Sequence, residues 1–207
     1  MKKICLALTV MGTLAGSMTA NAVPFSFDCN SNNNATDCQT GESQFVLDVV
    51  DSGSTVSMTF SNVGPFASSI TDIYFDWQSG SALFPVGLSE GPGVDFSWGA
   101  SPSNVPGGNS IGFSSNLSAD SDSPTQPNGA NPGEYVTFNF YGSFTDILND
   151  LVSGDLRVAL HAQGFAGGGS ESFVNVGRPT SVPEPGTLAL FGLAIAGMGV
   201  ARRKRSA

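Results

Sequence analysis

FVLDVVDSGSTVSMTFSN, residues 45–62, is the stretch from which the fold of this chain can be read. Val56, Met58 and Phe60 alternate with Ser57 and Thr59, the period of two that buries one face of a strand. FVLDVV precedes them, and Asp51-Ser52-Gly53 in between has the residues of a hairpin turn. The pattern recurs outward along the chain. Ile73, Phe75 and Trp77 share a face of DIYFDW, Val94, Phe96 and Trp98 of VDFSW, and Val136, Phe138 and Phe140 of YVTFNF. LRVALHAQ (156–163) and SFVNV (172–176) follow. Short strands spaced by Gly, Pro and Asn turns predict a mainly β, antiparallel sandwich or jelly roll.

One helix breaks the pattern. Phe144, Ile147, Leu148, Leu151 and Val152 follow the spacing of a single apolar stripe, which predicts a short helix over about 144–153. Ser143 with Asp146 resembles a capping box, and Gly154 is placed to end the helix across one end of the sheets. Between Pro102 and Pro132 the sequence turns polar and turn-rich, which predicts long loops.

The two ends of the chain read as addresses. MKKICLALTVMGTLAGSMTANA has the basic start, apolar stretch and Ala20-Asn21-Ala22 small-residue site of a secretory signal, a helix expected to be removed after Ala22. Export leaves Cys29 and Cys38, which an oxidising compartment would join, closing CNSNNNATDC into a small loop. Two thiols with no neighbouring His or third Cys make an incomplete zinc shell. At the other end, Thr187 to Ala201 carries no charge, and as a helix it would span about 22 Å against a hydrocarbon core of roughly 30 Å. Arg202, Arg203, Lys204 and Arg205 follow and would stay cytoplasmic under the positive-inside rule. The expected organisation is a signal peptide at 1–22, one ectodomain at 23–178, and a linker, C-terminal hydrophobic helix and basic tail at 179–207.

VPEPGT (182–187), the apolar run and the terminal RRKR together resemble the PEP-CTERM sorting signal of Gram-negative bacteria that make exopolysaccharide. The resemblance implies recognition and processing by the membrane enzyme exosortase, with Pro183, Glu184 and Pro185 as the recognition motif. The two prolines hold that triplet extended and out of helix, which keeps it accessible. HAQGFAGGGSESFVNVG (161–177) resembles the end of the ectodomain in many PEP-CTERM proteins and implies no activity.

Between Val23 and Val182, sixteen acidic residues face two basic ones, Arg157 and Arg178, and there is no lysine. Phosphate-rich partners are excluded, because nucleic acids are held mainly by Lys and Arg. The chemical inventory is thin. His161, the single histidine of the chain, is expected outward on its strand with Arg157 and Gln163, and no G-x-S-x-G elbow accompanies it. Asp72 and Asp76 flank IYF as the most suggestive of many carboxylate pairs. Asp28, Asn30 and Asn32 start like a calcium loop, but Asn33 and Gln39 stand where Gly and Glu are needed. Asp120 and Asp122 are the remaining Ca²⁺ candidates, and no cofactor is otherwise expected. The catalytic set is empty. The expectation is therefore an exported, exosortase-processed protein, held transiently at the inner membrane and then placed at the cell surface or in an exopolysaccharide matrix. Its role there would be structural or adhesive. The alternative is a glycan-binding or glycan-hydrolysing sandwich, with or without Ca²⁺.

Overall fold

The computed structural model describes residues 22–78, 80 and 82–179. The expected signal segment before Ala22 lies outside these residues, as do Pro183-Glu184-Pro185, the C-terminal apolar run and the basic tail. Among the described residues no helix is long and apolar enough to cross a membrane.

The strands are β1 (Ala22–Cys29), β2 (Phe45–Asp51), β3 (Thr55–Asn62), β4 (Ser69–Trp77), β5 (Phe84–Glu90), β6 (Phe96–Trp98), β7 (Leu117–Ser121), β8 (Tyr135–Tyr141), β9 (Leu156–Gln163) and β10 (Glu171–Pro179). Three helices interrupt them: α1 (Ala35–Gln44), α2 (Thr125–Asn128) and α3 (Phe144–Ser153). All ten strands belong to one antiparallel, nearly closed sheet in the order β5-β8-β3-β2-β1-β10-β9-β4-β7-β6. It folds over so that its two halves face each other as the layers of a sandwich do. Phe75 of β4 meets Phe138 and Phe140 of β8 edge-on at 5.8 and 5.2 Å between ring centroids, although five strands lie between β4 and β8 in the sheet. Trp98 of the edge strand β6 reaches Phe138 of β8 at 5.1 Å, one strand in from the other edge, β5. Edge-on packing of this kind suits rings whose faces are negative and whose rims are positive.

The β2–β3 hairpin forms as its pattern predicts. Leu47 pairs with Phe60 and Val49 with Met58, all buried, and the Gly53 amide donates to Asp51 Oδ1 at 2.9 Å inside the turn. α3 also matches its expected bounds. Ser143 Oγ accepts from the Asp146 amide, and Gly154 takes the left-handed conformation (φ 85°) that ends the helix. The helix packs on β9, β10 and β2. Ile147 and Leu151 are buried while Val152, the last residue of the stripe, is exposed.

The polar stretch 102–132 is more ordered than its composition predicts. It contains a 3-10 turn at Gly108–Ile111, then β7 and α2. β7 buries only Ala119 and Ser121, residues too small to mark an apolar alternation. α1 was equally hidden, because its buried side is Asp37, Cys38, Gly41 and Gln44 rather than an apolar stripe. Gln44 donates to Asn62, Ser68 and the Phe66 carbonyl at 2.9 to 3.1 Å, which fastens the end of α1 to the β3–β4 corner.

Candidate functional site

The outer face of β9-β4-β7 gathers the ionisable residues. Alternation puts Ile73 and Phe75 of β4 on the core side, so Asp72, Tyr74 and Asp76 must face outward. All three are nonetheless buried, because the segment from Ala100 to Asn116 lies over them with Val105 and Phe113 packed against Tyr74 and Ala159. The cover changes what these side chains can do.

A bulge sets the first group. Ile70 pairs with Ala162 but Asp72 pairs with His161, so Thr71 is the extra residue. Asp72 Oδ2 thereby lies 3.1 Å from His161 Nδ1 and 2.8 Å from the Thr71 hydroxyl, with the Tyr74 hydroxyl 3.4 Å from Oδ1. The His161 side chain is 14% exposed, so the expectation of an exposed strand residue is corrected: it faces outward but is paired and largely covered. Tyr74 also donates to the Pro102 carbonyl at 3.1 Å. Burial, and then the Asp72 charge, push its phenol well above the usual tyrosine range. Asp120 stands opposite Asp72 in the β4–β7 register. Burial first and the neighbouring Asp72 charge second raise its carboxyl above the ordinary value. Asp122 turns to Ser97, whose hydroxyl donates to it at 3.0 Å.

Asp76 belongs to a separate group. It is 2% exposed and meets Arg157 Nη2 at 2.5 Å, with the Ser114 amide at 3.1 Å. Arg157 in turn donates to the carbonyls of Ile111 and Gly112 and lies 5.2 Å over the Phe113 ring. Arg157 is a pin for the covering segment. Asp72 and Asp76 thus do not converge on one substrate position, since Tyr74 lies between them and each has its own partner, His161 for Asp72 and Arg157 for Asp76.

The third cluster joins the two ends of the domain. Cys29 and Cys38 form a disulfide, and Glu171 of β10, 1% exposed, lies against it. The Glu171 carboxylate accepts from the Ser31 hydroxyl and from the amides of Asn33 and Asn34, at 3.0 and 2.6 Å for the amides. Cys29, Cys38 and Glu171 are the one group of three His, Cys, Asp or Glu side chains among the described residues whose ligand atoms gather within 4.8 Å, and two of the three are bonded to each other. Asp120 and Asp122 gather no third ligand of these types there. The calcium-like start at Asp28 instead leads into α1, where Asn34 Oδ1 caps the amides of Thr36 and Asp37.

Two features were missed from sequence. Glu171, 1% exposed, and Asp37, 4% exposed, carry no motif or period that singles them out in the sequence. Asn34 followed three residues later by Asp37 is an N-cap signal that could have located α1.

Residues 181–205 match the family model of the PEP-CTERM protein-sorting motif, a range that holds Pro183, Glu184 and Pro185 together with Arg202, Arg203, Lys204 and Arg205. No curated protein and no solved structure matches the chain. The chain carries a C-terminal PEP-CTERM sorting motif, which makes it an exported protein addressed to the membrane enzyme exosortase.

Proposed function

We propose that processing delivers residues 23–178 to the cell surface or the exopolysaccharide matrix, where they act as a non-catalytic, adhesive module. The observation that carries this reading is the outer face of the β5-β8-β3-β2 half. Four rungs cross it: Phe84-Tyr141-Thr55, Gly87-Asn139-Ser57-Val50, Ser89-Thr137-Thr59-Asp48, and Tyr135-Ser61-Val46. Their hydroxyls are linked sideways, Ser57 donating to Asn139 at 2.7 Å and Thr59 lying 2.9 Å from Thr137. Asp48 is the only carboxylate in these rungs, and burial raises its pKa above the ordinary value. Tyr135 and Tyr141 are exposed and stand six residues apart, about 20 Å at 3.4 Å per residue. A face with a single carboxylate, hydroxyls inside and aromatic rings at its ends suits a neutral polysaccharide chain. Rings stack on the C–H faces of sugars, and short polar side chains exchange hydrogen bonds with sugar hydroxyls.

Intact mass of the protein recovered from cells tests delivery. Loss of the residues beyond the triplet is expected, and replacing Pro183-Glu184-Pro185 should abolish that loss. A surface-located mature protein that keeps its full tail would overturn processing. Retention of the protein in the matrix fraction, reduced by Tyr141→Ser, tests the adhesive role.

A second reading, glycan hydrolysis, draws support from Asp72 and Asp120, paired across β4–β7 with one carboxyl raised. Its weakness is that Asp72 is already engaged by Thr71, Tyr74 and His161. Turnover of glycan substrates by the mature protein, lost in Asp120→Asn, would establish it over the adhesive reading.

A further inference from the structure

We propose that the Thr71 hydroxyl and the Gln163 side-chain amide condense into an ester within the folded chain, releasing ammonia and joining β4 to β9 by a covalent bond. The inference stands apart from the adhesive reading, since the bond forms once per molecule and turns over no external substrate. The bulge prepares it. Ser69 pairs with Gln163 and Ile70 with Ala162, while Thr71 is the extra residue before Asp72 takes up its place opposite His161. Thr71 is fully buried, and its hydroxyl accepts from Gln163 Nε2 at 3.3 Å, although the two residues stand 92 apart in the chain.

A hydroxyl beside an amide is inert unless something takes the hydroxyl proton. Ser68 shows the inert case: its hydroxyl lies 2.9 Å from Gln44 Nε2 and 3.1 Å from Asn62 Nδ2, but its remaining partner is the Phe66 carbonyl, which is no base. Thr71 differs in having a carboxylate. Its hydroxyl is 2.8 Å from Asp72 Oδ2 and 3.2 Å from the His161 carbonyl, so the acceptor that general-base catalysis needs is already in contact with the nucleophile. His161 Nδ1 at 3.1 Å from the same Oδ2, and the Tyr74 hydroxyl at 3.4 Å from Oδ1, hold that carboxylate in place. The Gln163 carbonyl carbon is one bond beyond Nε2. The last torsion of a glutamine is broad, so turning about it presents that carbon to Thr71 Oγ1 at little cost.

The step balances without any outside reagent. Asp72 removes the hydroxyl proton as the Oγ1 lone pair bonds to Gln163 Cδ, and the carbonyl π pair moves onto oxygen. When that pair returns, the Cδ–Nε2 bond breaks, Asp72 passes its proton to the departing nitrogen, and ammonia leaves. No atom changes oxidation state. Water would undo the ester by hydrolysis, but Thr71 is 0% and Asp72 5% exposed, so the bond forms where water is largely excluded. It would close a far longer loop than the disulfide, whose cysteines stand 9 apart, and would restrict the unfolded chain accordingly.

The test is the intact mass of the protein recovered from cells, measured after reduction of the disulfide. It should fall short of the sequence mass by about 17 Da, the ammonia expelled in forming the covalent link. Peptide mapping should find the Thr71 and Gln163 peptides joined, and hydroxylamine, which attacks esters, should separate them. Thr71→Ser keeps a hydroxyl and should keep the deficit, whereas Thr71→Val, Gln163→Met and Asp72→Asn should each lose it. Gln163 is only partly buried, so Gln163→Met stays informative if Asp72→Asn folds poorly. On a denaturing gel after reduction, the wild-type chain, still closed into a loop, should run ahead of Gln163→Met. A wild-type mass equal to the sequence mass would overturn the proposal. So would a deficit that persists in Gln163→Met or in folded Asp72→Asn, or one that maps to Ser68 and Gln44.

Discussion

At the scale of single residues, carboxylates do opposite jobs according to what surrounds them. Glu171 is saturated by the Ser31 hydroxyl and two amides, so it locks the start of β10 to the disulfide loop. Glu171→Gln places a donor where donors already converge and should lower unfolding free energy by about 1 to 3 kcal/mol, read from urea denaturation. Asp120 is the reverse case. Its folded carboxyl is raised above the ordinary 3.8, so the folded state binds its proton more tightly than the unfolded chain does. Its contribution is favourable below pH 3.8 and is lost as pH rises through the folded value. Asp120→Asn should therefore raise the melting temperature at pH 7, with the gain vanishing in acid; a gain that is constant with pH would contradict this. None of these contrasts could be read from sequence. Asp72, Asp76 and His161 were visible as candidate residues, but the one-residue bulge at Thr71 that sets Asp72 beside His161 leaves no mark in composition or period.

Among the elements, legibility followed the kind of surface each one buries. β2, β3, β4, β8 and α3 bury large apolar side chains at a fixed period, and their pattern named them correctly. α1 and β7 bury acids, amides and small residues, and pattern reading passed over both. The covering segment from Ala100 to Asn116 is the extreme example, since it is held largely by Arg157 acting through Asp76, Phe113 and two carbonyls. Lysine has no planar fork with which to meet the carboxylate, the ring and the carbonyls together. Arg157→Lys should accordingly free this segment while leaving the sheet folded. Limited proteolysis should show faster cleavage between residues 102 and 116, with a much smaller loss in the global melting temperature. Equal effects on both would mean that the segment unfolds only with the whole domain.

For the whole molecule, a mainly β antiparallel domain was legible, and so was the address at its C-terminal end. The joining of all ten strands into one sheet was not, because it depends on long-range pairing that no local signal encodes. That joining is the work of β10, which pairs with β1 on one side and β9 on the other. It also sets a clock on the molecule. A chain exported from its N-terminus brings nine strands across the membrane before the one that links their two halves, so the domain cannot complete itself until translocation has almost reached the sorting motif. Assembly and arrival at the processing enzyme are thereby synchronised by strand order alone. A chain ending at Ser170 should cross the membrane yet lack a cooperative melting transition, and a sharp transition in that truncation would show that the halves close without their last strand.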